Sequence, residues 1–470
     1  MLFNSFSFLI LVFVTFGVYY YKPLRKYQVA ILIASSFTFY AFNNPWLLIL
    51  LIGSIVINIT TSWLIGESSN ISSRKKYAVL GVSLNLIILA FFKYSGLLGH
   101  LLLPPNSSFF QFLHTIPLPI GISFFTFQGI SLVVDTYRAD RVEEYKNLLP
   151  KNIQEYGMNA SLFISFFPQL VAGPIVKAHD FLPQIKEKRL TDIDWESTIK
   201  FLILGYFLKS VIADNLNDYT TGIAYPQFEL KSSITLIILL LGYSMQIFAD
   251  FAGYSLIAIG VATLFGYHLK QNFNFPYIST SFSEFWRRWH ISLSTFLKEY
   301  LYISMGGNKK GKLRTYFNLL ITMALGGLWH GAAWSYAVWG LFHGVLLAME
   351  RLLSDVVTIR PSLLLRSVKI FFVFSCVSFA WLLFILPEFG QAIKYIQAVL
   401  TNGHLMPEYN TITYVLIYSA PIFVYHMLHL IGEKIPHLNF QRYVPILYGL
   451  LLFLVLTNGG TSQAFIYFQF

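Results

Sequence analysis

Two histidines stand in aromatic, glycine-rich surroundings between Phe285 and Arg351. His290 ends the run Phe-Trp-Arg-Arg-Trp-His, and His330 lies in the run Gly-Gly-Leu-Trp-His-Gly that begins at Gly326. Imidazole titrates near neutrality and can accept or donate a proton during a reaction, and ionisable groups at membrane depth usually serve a function. The two histidines therefore predict acid–base chemistry in this segment.

A helix is expected to begin after Ser281, because Ser281 and Glu284 have the spacing of a capping box. One stripe of this helix, at i, i+3, i+4, i+7 and i+11, would carry Trp286, Trp289, His290, Leu293 and Leu297. The pattern predicts that His290 is buried beside two indole rings. A buried histidine is more often a hydrogen-bonded core residue than a catalyst, and this alternative stays open.

Basic residues accompany His290 along the chain. Arg287, Arg288 and Lys298 would lie near a membrane surface, where guanidinium and ammonium groups suit ligands that carry phosphate. Trp286 directly precedes Arg287, and Asn308 belongs to a turn rich in glycine and lysine that could close over an anionic cofactor. The turn matches no nucleotide-binding motif, and lipid headgroups are the alternative ligand for the arginines.

Glycines surround His330. Gly326 and Gly327 are expected to loosen the helix before it, and Gly331 follows it, which would let backbone and substrate approach closely. One face of the next helix carries Tyr336, Trp339, His343 and Glu350. His343 is therefore expected to be a structural residue with a hydrogen bond inside the bundle, and Glu350 to end that face near Arg351.

The composition is that of a polytopic membrane protein. Of 470 residues, 56% are hydrophobic and 12% are charged, and the mean hydropathy is +0.59. The net charge of +11 comes from basic residues in short loops between apolar runs, so it indicates membrane orientation and not nucleic-acid binding. The one cysteine, Cys376, can form neither an intrachain disulfide nor a cysteine metal cluster, and no metal is expected.

About eleven transmembrane or re-entrant segments are expected from the apolar runs. The apolar runs, thirteen when full and partial spans are both counted, cover roughly residues 1–21, 28–42, 46–65, 77–92, 119–134, 161–175, two runs within 232–265, 316–328, 334–349, 370–386, 411–430 and 444–456. The first run is read as a retained span, because no basic residues precede it and no small-residue cleavage site follows it. Basic loops after the first, third and fifth runs place the N-terminus outside the cytoplasm.

Two of these segments depart from an ordinary span. The run from Ser161 to Ile175 contains Gln169 and Pro174 and lies between two basic loops, which predicts a re-entrant segment lining a cavity. A kinked ordinary span is the alternative. Asp250 separates the two runs of residues 232–265, and a membrane carboxylate costs about 2.5–3.5 kcal/mol unless it is paired or hydrated. Asp250 is therefore expected to face the interior.

The chain resembles the bacterial membrane-bound O-acyltransferases, in the branch that holds the membrane subunits for alginate and peptidoglycan O-acetylation. The resemblance covers nearly the whole length, and it rests on Met1 to Ser5, Leu118 to Phe124, Phe167 to Ile175, the block from Phe285 to Gly344, and Phe465 to Phe470. It implies one membrane domain over residues 1–470 with a catalytic segment at 281–351. In this fold a ring of helices surrounds a central tunnel.

The resemblance also implies roles for particular residues. His330 would be the catalytic histidine and His290 the second active-site residue, with His330 as general base toward an acceptor hydroxyl. The residues expected to bind the donor are Trp286, Arg287, Arg288, Lys298 and Asn308. The residues expected to line or support the tunnel are Trp329, Gln169, Pro174, Asp250 and His343.

The activity implied is O-acetylation of a cell-envelope or exported polysaccharide from the bacterial cytoplasmic membrane. Acetyl-coenzyme A would be the donor, entering from the cytoplasm, and a separate extracytoplasmic acetyltransferase would be the partner. One alternative within the family is D-alanyl transfer to teichoic acid from a carrier protein. A transporter of lipid-linked sugars is the alternative from another class, although it predicts inverted repeats and none are visible.

Overall fold

The computed structural model describes residues 1–104, 107–139, 142, 145, 148, 152–171, 173–354, 362–386, 388–434, 443–461, 463 and 465–466. Within these residues every regular element is a helix and no strand occurs. The predicted all-α class is confirmed. The chain divides into two compact units, Met1–Leu202 with Ser255–Lys270 and Ile203–Tyr254 with Gln271–Phe470.

The first unit is built mainly from the N-terminal helices. In chain order these are α1 (Phe6–Tyr20), α2 (Gln28–Ala41), α3 (Leu47–Glu67), α4 (Ile71–Leu102), α5 (Ser108–Thr115), α6 (Ile122–Arg138), α7 (Ile153–Ser165), α8 (Phe167–Leu170), α9 (Ala178–Phe181) and α10 (Trp195–Tyr206), whose last residues belong to the second unit. Side chains cap several of them, as Ser5 does when it accepts a hydrogen bond from the Phe8 amide of α1.

Polar contacts between helices occur within this apolar unit. Asn58 of α3 and Asn85 of α4 exchange side-chain hydrogen bonds at 3.2 and 2.8 Å. Helix α6 is buried along nearly all of its length, which agrees with the mixed small and aromatic residues around its circumference. Hydrogen bonds between amide side chains stabilise helix pairs where no water competes.

The predicted break after residue 161 is present. Helix α7 ends at Ser165, one turn of helix follows at α8, and no helix forms in the described residues from Val171 to Lys177. Gln169 is buried and donates to the Phe163 carbonyl at 2.9 Å, so a side chain replaces part of the lost backbone bonding. The segment is thus not one continuous helix, while its re-entrant path stays a prediction.

The second unit follows from Ile203. Its α-helices are α11 (Asp214–Thr220), α12 (Ser233–Leu264), α13 (Phe282–Arg288), α14 (Ile291–Phe296), α15 (Lys312–His330), α16 (Trp334–Ser354), α17 (Leu363–Ala380), α18 (Leu382–Ile385), α19 (Phe389–Thr401), α20 (Tyr409–Lys434) and α21 (Val444–Thr457), with the end of α12 in the first unit. Two π-helical stretches occur at Phe207–Ala213 and Leu297–Tyr302. Short 3₁₀ helices lie at Lys22–Tyr27, Leu182–Gln184, Leu190–Asp192, Thr221–Ile223, Gln227–Leu230, Pro276–Ile278 and Asn402–His404.

Five helical segments of the described chain are long and apolar enough to cross a membrane by themselves. They are Leu47–Glu67, Ile71–Gly99, Ser233–Leu264, Leu363–Ile385 and Tyr409–Gly432. Helices α1 and α2 pass the same test as a pair bent by 101°. The other predicted runs form shorter or less apolar helices, so the count of about eleven segments stays a prediction.

Residues 232–265 differ from the expectation. The two predicted runs form the single helix α12, which passes through Asp250 and Gly253 without interruption. Asp250 is nevertheless buried, as predicted, and its carboxylate accepts a hydrogen bond from the Lys209 ammonium at 2.7 Å. The ion pair with Lys209 offsets the free-energy cost of burying the Asp250 carboxylate, so the helix does not have to break there.

Candidate active site

The helix that begins after Ser281 is shorter than the sequence suggests. Helix α13 ends at Arg288 and α14 begins at Ile291. Between them His290 has φ 43° and ψ 54°, the left-handed region that side chains other than glycine rarely adopt. The predicted single stripe through His290 is therefore wrong, because the helix changes direction at this residue.

Asn272 holds the kink in place. Its backbone carbonyl accepts a hydrogen bond from the Ile291 amide at 2.9 Å, and its side-chain oxygen accepts one from the Ser292 hydroxyl at 2.6 Å. Unusual backbone conformations persist where the surrounding contacts over-determine them, and they are common at functional sites. The kink directs the His290 ring into the protein interior.

His290 is fully buried among aromatic rings, as predicted. Its ring centroid lies 4.5 Å from that of Phe251, 5.9 Å from Trp329 and 6.1 Å from His330. Burial lowers the pKa of His290 to about 3, because an imidazolium loses its hydration there. The ring is therefore neutral at physiological pH, with one nitrogen as donor and the other as acceptor.

Glycines bring α15 and α16 into backbone contact. A Cβ at Gly327 would lie 2.1 Å from the Tyr336 carbonyl oxygen, and one at Gly340 would lie 2.2 Å from the Met323 carbonyl oxygen. Helix α15 continues unbroken to His330, so these glycines do not loosen it. Their role is close packing, which fixes the distance between His330 and the aromatic residues of α16.

His330 sits at the end of α15 in an aromatic enclosure. Its ring centroid lies 5.3 Å from that of Trp339, which it meets edge-on, and 5.2 Å from that of Phe384, which is steeply tilted against it. The residue is 4% exposed, and it lines a cavity. His330 is thus shielded on most sides and accessible from one.

The cavity has a volume of about 550 Å³, within the usual range for small-molecule sites. Its wall includes the apolar side chains of Trp286, Leu293, Leu297, Met323, Trp339 and Leu347. It also includes the cations Arg287, Lys298 and Arg351 and the polar residues Ser283, Ser294, Tyr302, Asn308 and Thr322. None of the described residues in this wall is acidic.

A second, more polar cavity of about 590 Å³ adjoins the first. Asn308 and Arg351 line both, and Lys312, Thr315 and Tyr316 line only the second. The Arg351 guanidinium donates to the Asn308 side chain at 3.5 Å, and Tyr302 donates to the same amide oxygen. A ligand with an apolar end and an anionic end would find matching surroundings along this path.

Comparison with known proteins gives the family. Residues 76–386 match the membrane-bound O-acyltransferase (MBOAT) family. The chain is 34% identical to the peptidoglycan O-acetyltransferase of Helicobacter pylori over 83% of its own length and 80% of that protein. It is 36% identical to the probable alginate O-acetylase AlgI of Pseudomonas aeruginosa, over 86% and 75% of the two chains, and 38% identical to that of Azotobacter vinelandii, over 86% and 79%.

The chain belongs to the membrane-bound O-acyltransferase family. This MBOAT protein is therefore an acyltransferase and a multi-pass membrane protein, which the apolar helices support independently. A teichoic acid D-alanyltransferase of Bacillus subtilis is a more distant relative, 32% identical over 50% of this chain and 59% of that protein.

Within this MBOAT protein, the structure gathers most of the predicted donor-binding residues. Trp286, Arg287, Lys298 and Asn308 all line the cavity that His330 lines. Arg288 does not: its guanidinium bonds to the Glu284 carboxylate at 2.9 Å and to the Asn274 carbonyl at 3.1 Å. Both arginines belong to α13, and successive residues of a helix with about 3.6 residues per turn point about 100° apart, so the two side chains meet different surroundings.

Glu350 also lies elsewhere than the sequence suggests. Its carboxylate accepts hydrogen bonds from the Phe282 amide and, at 3.2 Å, from the Ser283 amide. It therefore caps the N-terminus of α13, where a negative charge is favourable. This contact ties α16 to the helix that carries Trp286 and Arg287.

The predicted supporting residues occupy different places. Trp329 is buried beside both histidines, and His343 is fully buried with its ring 4.8 Å from Trp339. Neither ring nitrogen of His343 has a hydrogen-bond partner among the described residues, so the expected bond is not found there. Gln169 and Pro174 belong to the first unit, and their role in a tunnel stays a prediction.

Sequence reasoning missed three residues of the site. Arg351 and Tyr302 come to the cavity from the ends of separate elements, and Asn272 fixes the His290 kink from 18 positions upstream. No local pattern marks Asn272. A basic residue in the last turn of a helix, as Arg351 is, was a visible but unspecific signal.

Proposed function

We propose that this MBOAT protein is an O-acetyltransferase of the bacterial inner membrane. It takes acetyl groups from acetyl-coenzyme A on the cytoplasmic side and passes them on for O-acetylation of a cell-envelope or exported polysaccharide. The observation that carries the proposal is the cavity in which His330 meets an apolar wall and three cations. Such a cavity suits an acyl thioester with phosphates at its far end.

His330 acts as the general base in this proposal. It removes the proton of the acceptor hydroxyl while that oxygen attacks the carbonyl carbon of the acetyl thioester. The carbon–sulfur bond then breaks, and the departing thiolate takes the proton from His330. The products are an acetyl ester and a free thiol, and neutral imidazole is restored.

His290 supports the same step. A neutral imidazole has one N–H, and a donor near the reacting carbonyl stabilises the oxyanion that forms there. The His290 ring is centred 6.1 Å from the His330 ring, and His290 lies behind the cavity wall that His330 lines. The neutral state of His290 supports a role as hydrogen-bond donor instead of a second charged acid.

The adjoining polar cavity supports the choice of donor. Lys312 lines that cavity, and Arg351 and Asn308 line both it and the cavity that would hold the acyl–pantetheine end. Coenzyme A carries nucleotide phosphates that would occupy this basic region. A carrier-bound pantetheine has no nucleotide, so the second cavity favours acetyl-coenzyme A over a carrier protein.

The acceptor is inferred from the relatives. Relatives that match over 80% and 75% of their own length are named for O-acetylation of peptidoglycan and alginate. We therefore assign a polysaccharide as the final acceptor, with a separate extracytoplasmic acetyltransferase as the partner that completes delivery. The D-alanyl alternative rests on relatives that share only about half of the chain.

The first test follows thiol release and label transfer from acetyl-labelled coenzyme A by protein purified in detergent. We expect His330→Asn to abolish acceptor-dependent thiol release and His290→Ala to reduce it strongly. His404→Asn, at an exposed histidine outside both cavities, is the matched control and should retain wild-type activity.

The same assay separates the alternatives. Supplying D-alanyl carrier protein in place of acetyl-coenzyme A tests the other donor, and histidine-dependent turnover of that donor alone would contradict the proposal. Full activity of His330→Asn would contradict the assignment of the base. Absence of turnover with every donor, acceptor and partner supplied would favour transport over acyl transfer.

A further inference from the structure

A buried ion cluster lies in the second unit, apart from the histidine cavity. The Lys209 ammonium is 2.7 Å from a carboxylate oxygen of Asp214 and 2.7 Å from one of Asp250. All three side chains are at most 5% exposed. The proposed acetyl transfer uses none of them, so their retention in a hydrophobic interior needs another explanation.

The local backbone is shaped around this cluster. Lys209 lies in the π-helical stretch Phe207–Ala213, and such stretches are frequent at functional sites. Gly253 of α12 lies against it, because a Cβ there would be 2.8 Å from the Lys209 backbone nitrogen. The absence of a side chain at Gly253 lets Asp250, one turn away, reach the Lys209 ammonium.

The second carboxylate oxygen of Asp250 holds a distant part of the chain. It accepts a hydrogen bond from the Ile466 backbone amide at 2.7 Å, in a buried position. Two further bonds fix the same part of the chain nearby: the Gly460 amide donates to the Ser210 carbonyl at 2.9 Å, and Asn215 donates to the Asn458 carbonyl at 3.0 Å. We call the described residues from 458 to 466 the 458–466 segment.

The 458–466 segment reaches the histidine site through two aromatic rings. Phe465 is fully buried, and its ring centroid lies 4.4 Å from Tyr254 and 5.6 Å from Phe251. Phe251 in turn meets the His290 ring nearly perpendicularly at 4.5 Å. A continuous series of ring contacts therefore connects the 458–466 segment to His290.

We infer that Asp250 is a positioning residue of this acyltransferase: it anchors the 458–466 segment, and the anchored segment holds His290 in place through Phe465 and Phe251. Lys209 makes the anchor possible, since an unpaired carboxylate would not remain ionised at this depth. The effect on catalysis rests on the proposed function, whereas the anchoring of the segment by Asp250 does not.

The test compares three variants of the full-length protein. Asp250→Ala removes the hydrogen-bond acceptor and leaves Lys209 and Asp214 as a neutral pair, so the fold keeps no unpaired charge. Asp250→Asn retains an oxygen that can accept from the Ile466 amide. Tyr243→Phe is the matched control, because Tyr243 lines the 240 Å³ cavity beside the cluster and its hydroxyl has no hydrogen-bond partner among the described residues.

The first readout reports the anchor without any turnover. Ile466, which is 6% exposed, is replaced by Cys in a Cys376→Ser background, and its labelling by a maleimide fluorophore is timed. Loss of one buried hydrogen bond corresponds to about a tenfold rise in exposure by local opening. We expect that rise in Asp250→Ala, a smaller one in Asp250→Asn and none in Tyr243→Phe.

The second readout separates positioning from donor binding. We expect Asp250→Ala to lower kcat for acceptor-dependent thiol release about tenfold and to leave KM for acetyl-coenzyme A unchanged, with partial recovery in Asp250→Asn. Unchanged labelling in Asp250→Ala would overturn the anchor, and raised labelling with wild-type kcat would overturn the positioning role. If the wild type turns over no donor, the proposed function fails, and labelling alone decides whether Asp250 anchors the segment.

Discussion

Replacing Gly327 by Ala adds only one methyl group but should disturb the candidate active site strongly. The added Cβ would lie 2.1 Å from the Tyr336 carbonyl oxygen, whereas ordinary contact begins at 3.4 Å. The difference, 3.4 − 2.1 = 1.3 Å, is the distance by which α15 and α16 would have to separate locally. The Tyr336 carbonyl oxygen belongs to the backbone and cannot rotate away as the end of a side chain can, so the backbone must move.

The expected magnitude follows from that movement. Overpacking of this kind costs about 1–3 kcal/mol of folding free energy. His330 lies less than one helical turn beyond Gly327, and a displacement of roughly 1 Å at a catalytic group can lower the rate about 100-fold. We therefore expect Gly327→Ala to lower kcat for thiol release about 100-fold and to lower the thermal midpoint of unfolding.

The neighbouring glycine provides the control. A Cβ at Gly326 would meet only the Leu297 Cδ1 at 2.9 Å, which is the end of a flexible side chain that can rotate away. Because Gly326 also lines the cavity, this control is read by stability: Gly326→Ala should keep a thermal midpoint of unfolding close to that of the wild type, since rotamer adjustment costs about 0.5–1.5 kcal/mol at most. Size-exclusion chromatography with heating and thiol release are measured on both variants. Wild-type rate and stability in Gly327→Ala would refute the reasoning.

Three further outcomes follow from the site. Lys298→Gln should raise KM for acetyl-coenzyme A about tenfold and weaken the salt dependence of that KM. Arg288→Gln should leave KM unchanged, because the Arg288 side chain lies outside the cavity. Equal effects of the two substitutions would contradict the cavity as the donor site. Glu350→Gln should reduce stability by about 1–2 kcal/mol, measured by thermal unfolding, because a neutral amide caps α13 less well than a carboxylate. Burial raises the pKa of Glu284, but hydrogen bonds from Thr280 and the charge of Arg288 outweigh it and hold that pKa below its ordinary value of 4.5. Its stabilisation is therefore present above pH 4.5 and is lost as the pH falls through the lowered pKa, and Glu284→Gln should remove this acid dependence from unfolding curves.

Much of the fold class was readable from the sequence. Composition and apolar runs report a local property, the free energy of transferring each segment to a membrane, and most of the predicted runs are largely helical in the structure. The break near Pro168 was also readable, because proline removes a backbone donor wherever it occurs. The single helix through Asp250 was not, since its charge is neutralised by Lys209, 41 positions away.

The site shows the same division. Sequence alone identified His290, His330 and three of the cavity's polar contacts, because aromatic and basic residues cluster within one short segment. It could not separate Arg287, which lines the cavity, from Arg288, which pairs with Glu284. That choice depends on which face of α13 meets the cavity and which face meets Asn274, and only the packing of α13 against other parts of the chain decides it.

The sequence by itself determined that this protein is a membrane-embedded member of an acyltransferase family, and it predicted two histidines as site residues, since composition and short motifs carry that information. The tertiary structure decided which cations face His330, how closely α15 and α16 approach, and that Asp250 binds the Ile466 amide 216 positions away. These are contacts between residues far apart in the sequence, and they form only when separate segments pack into the same buried space. The periodicity of one helix does not indicate which other segment packs against it.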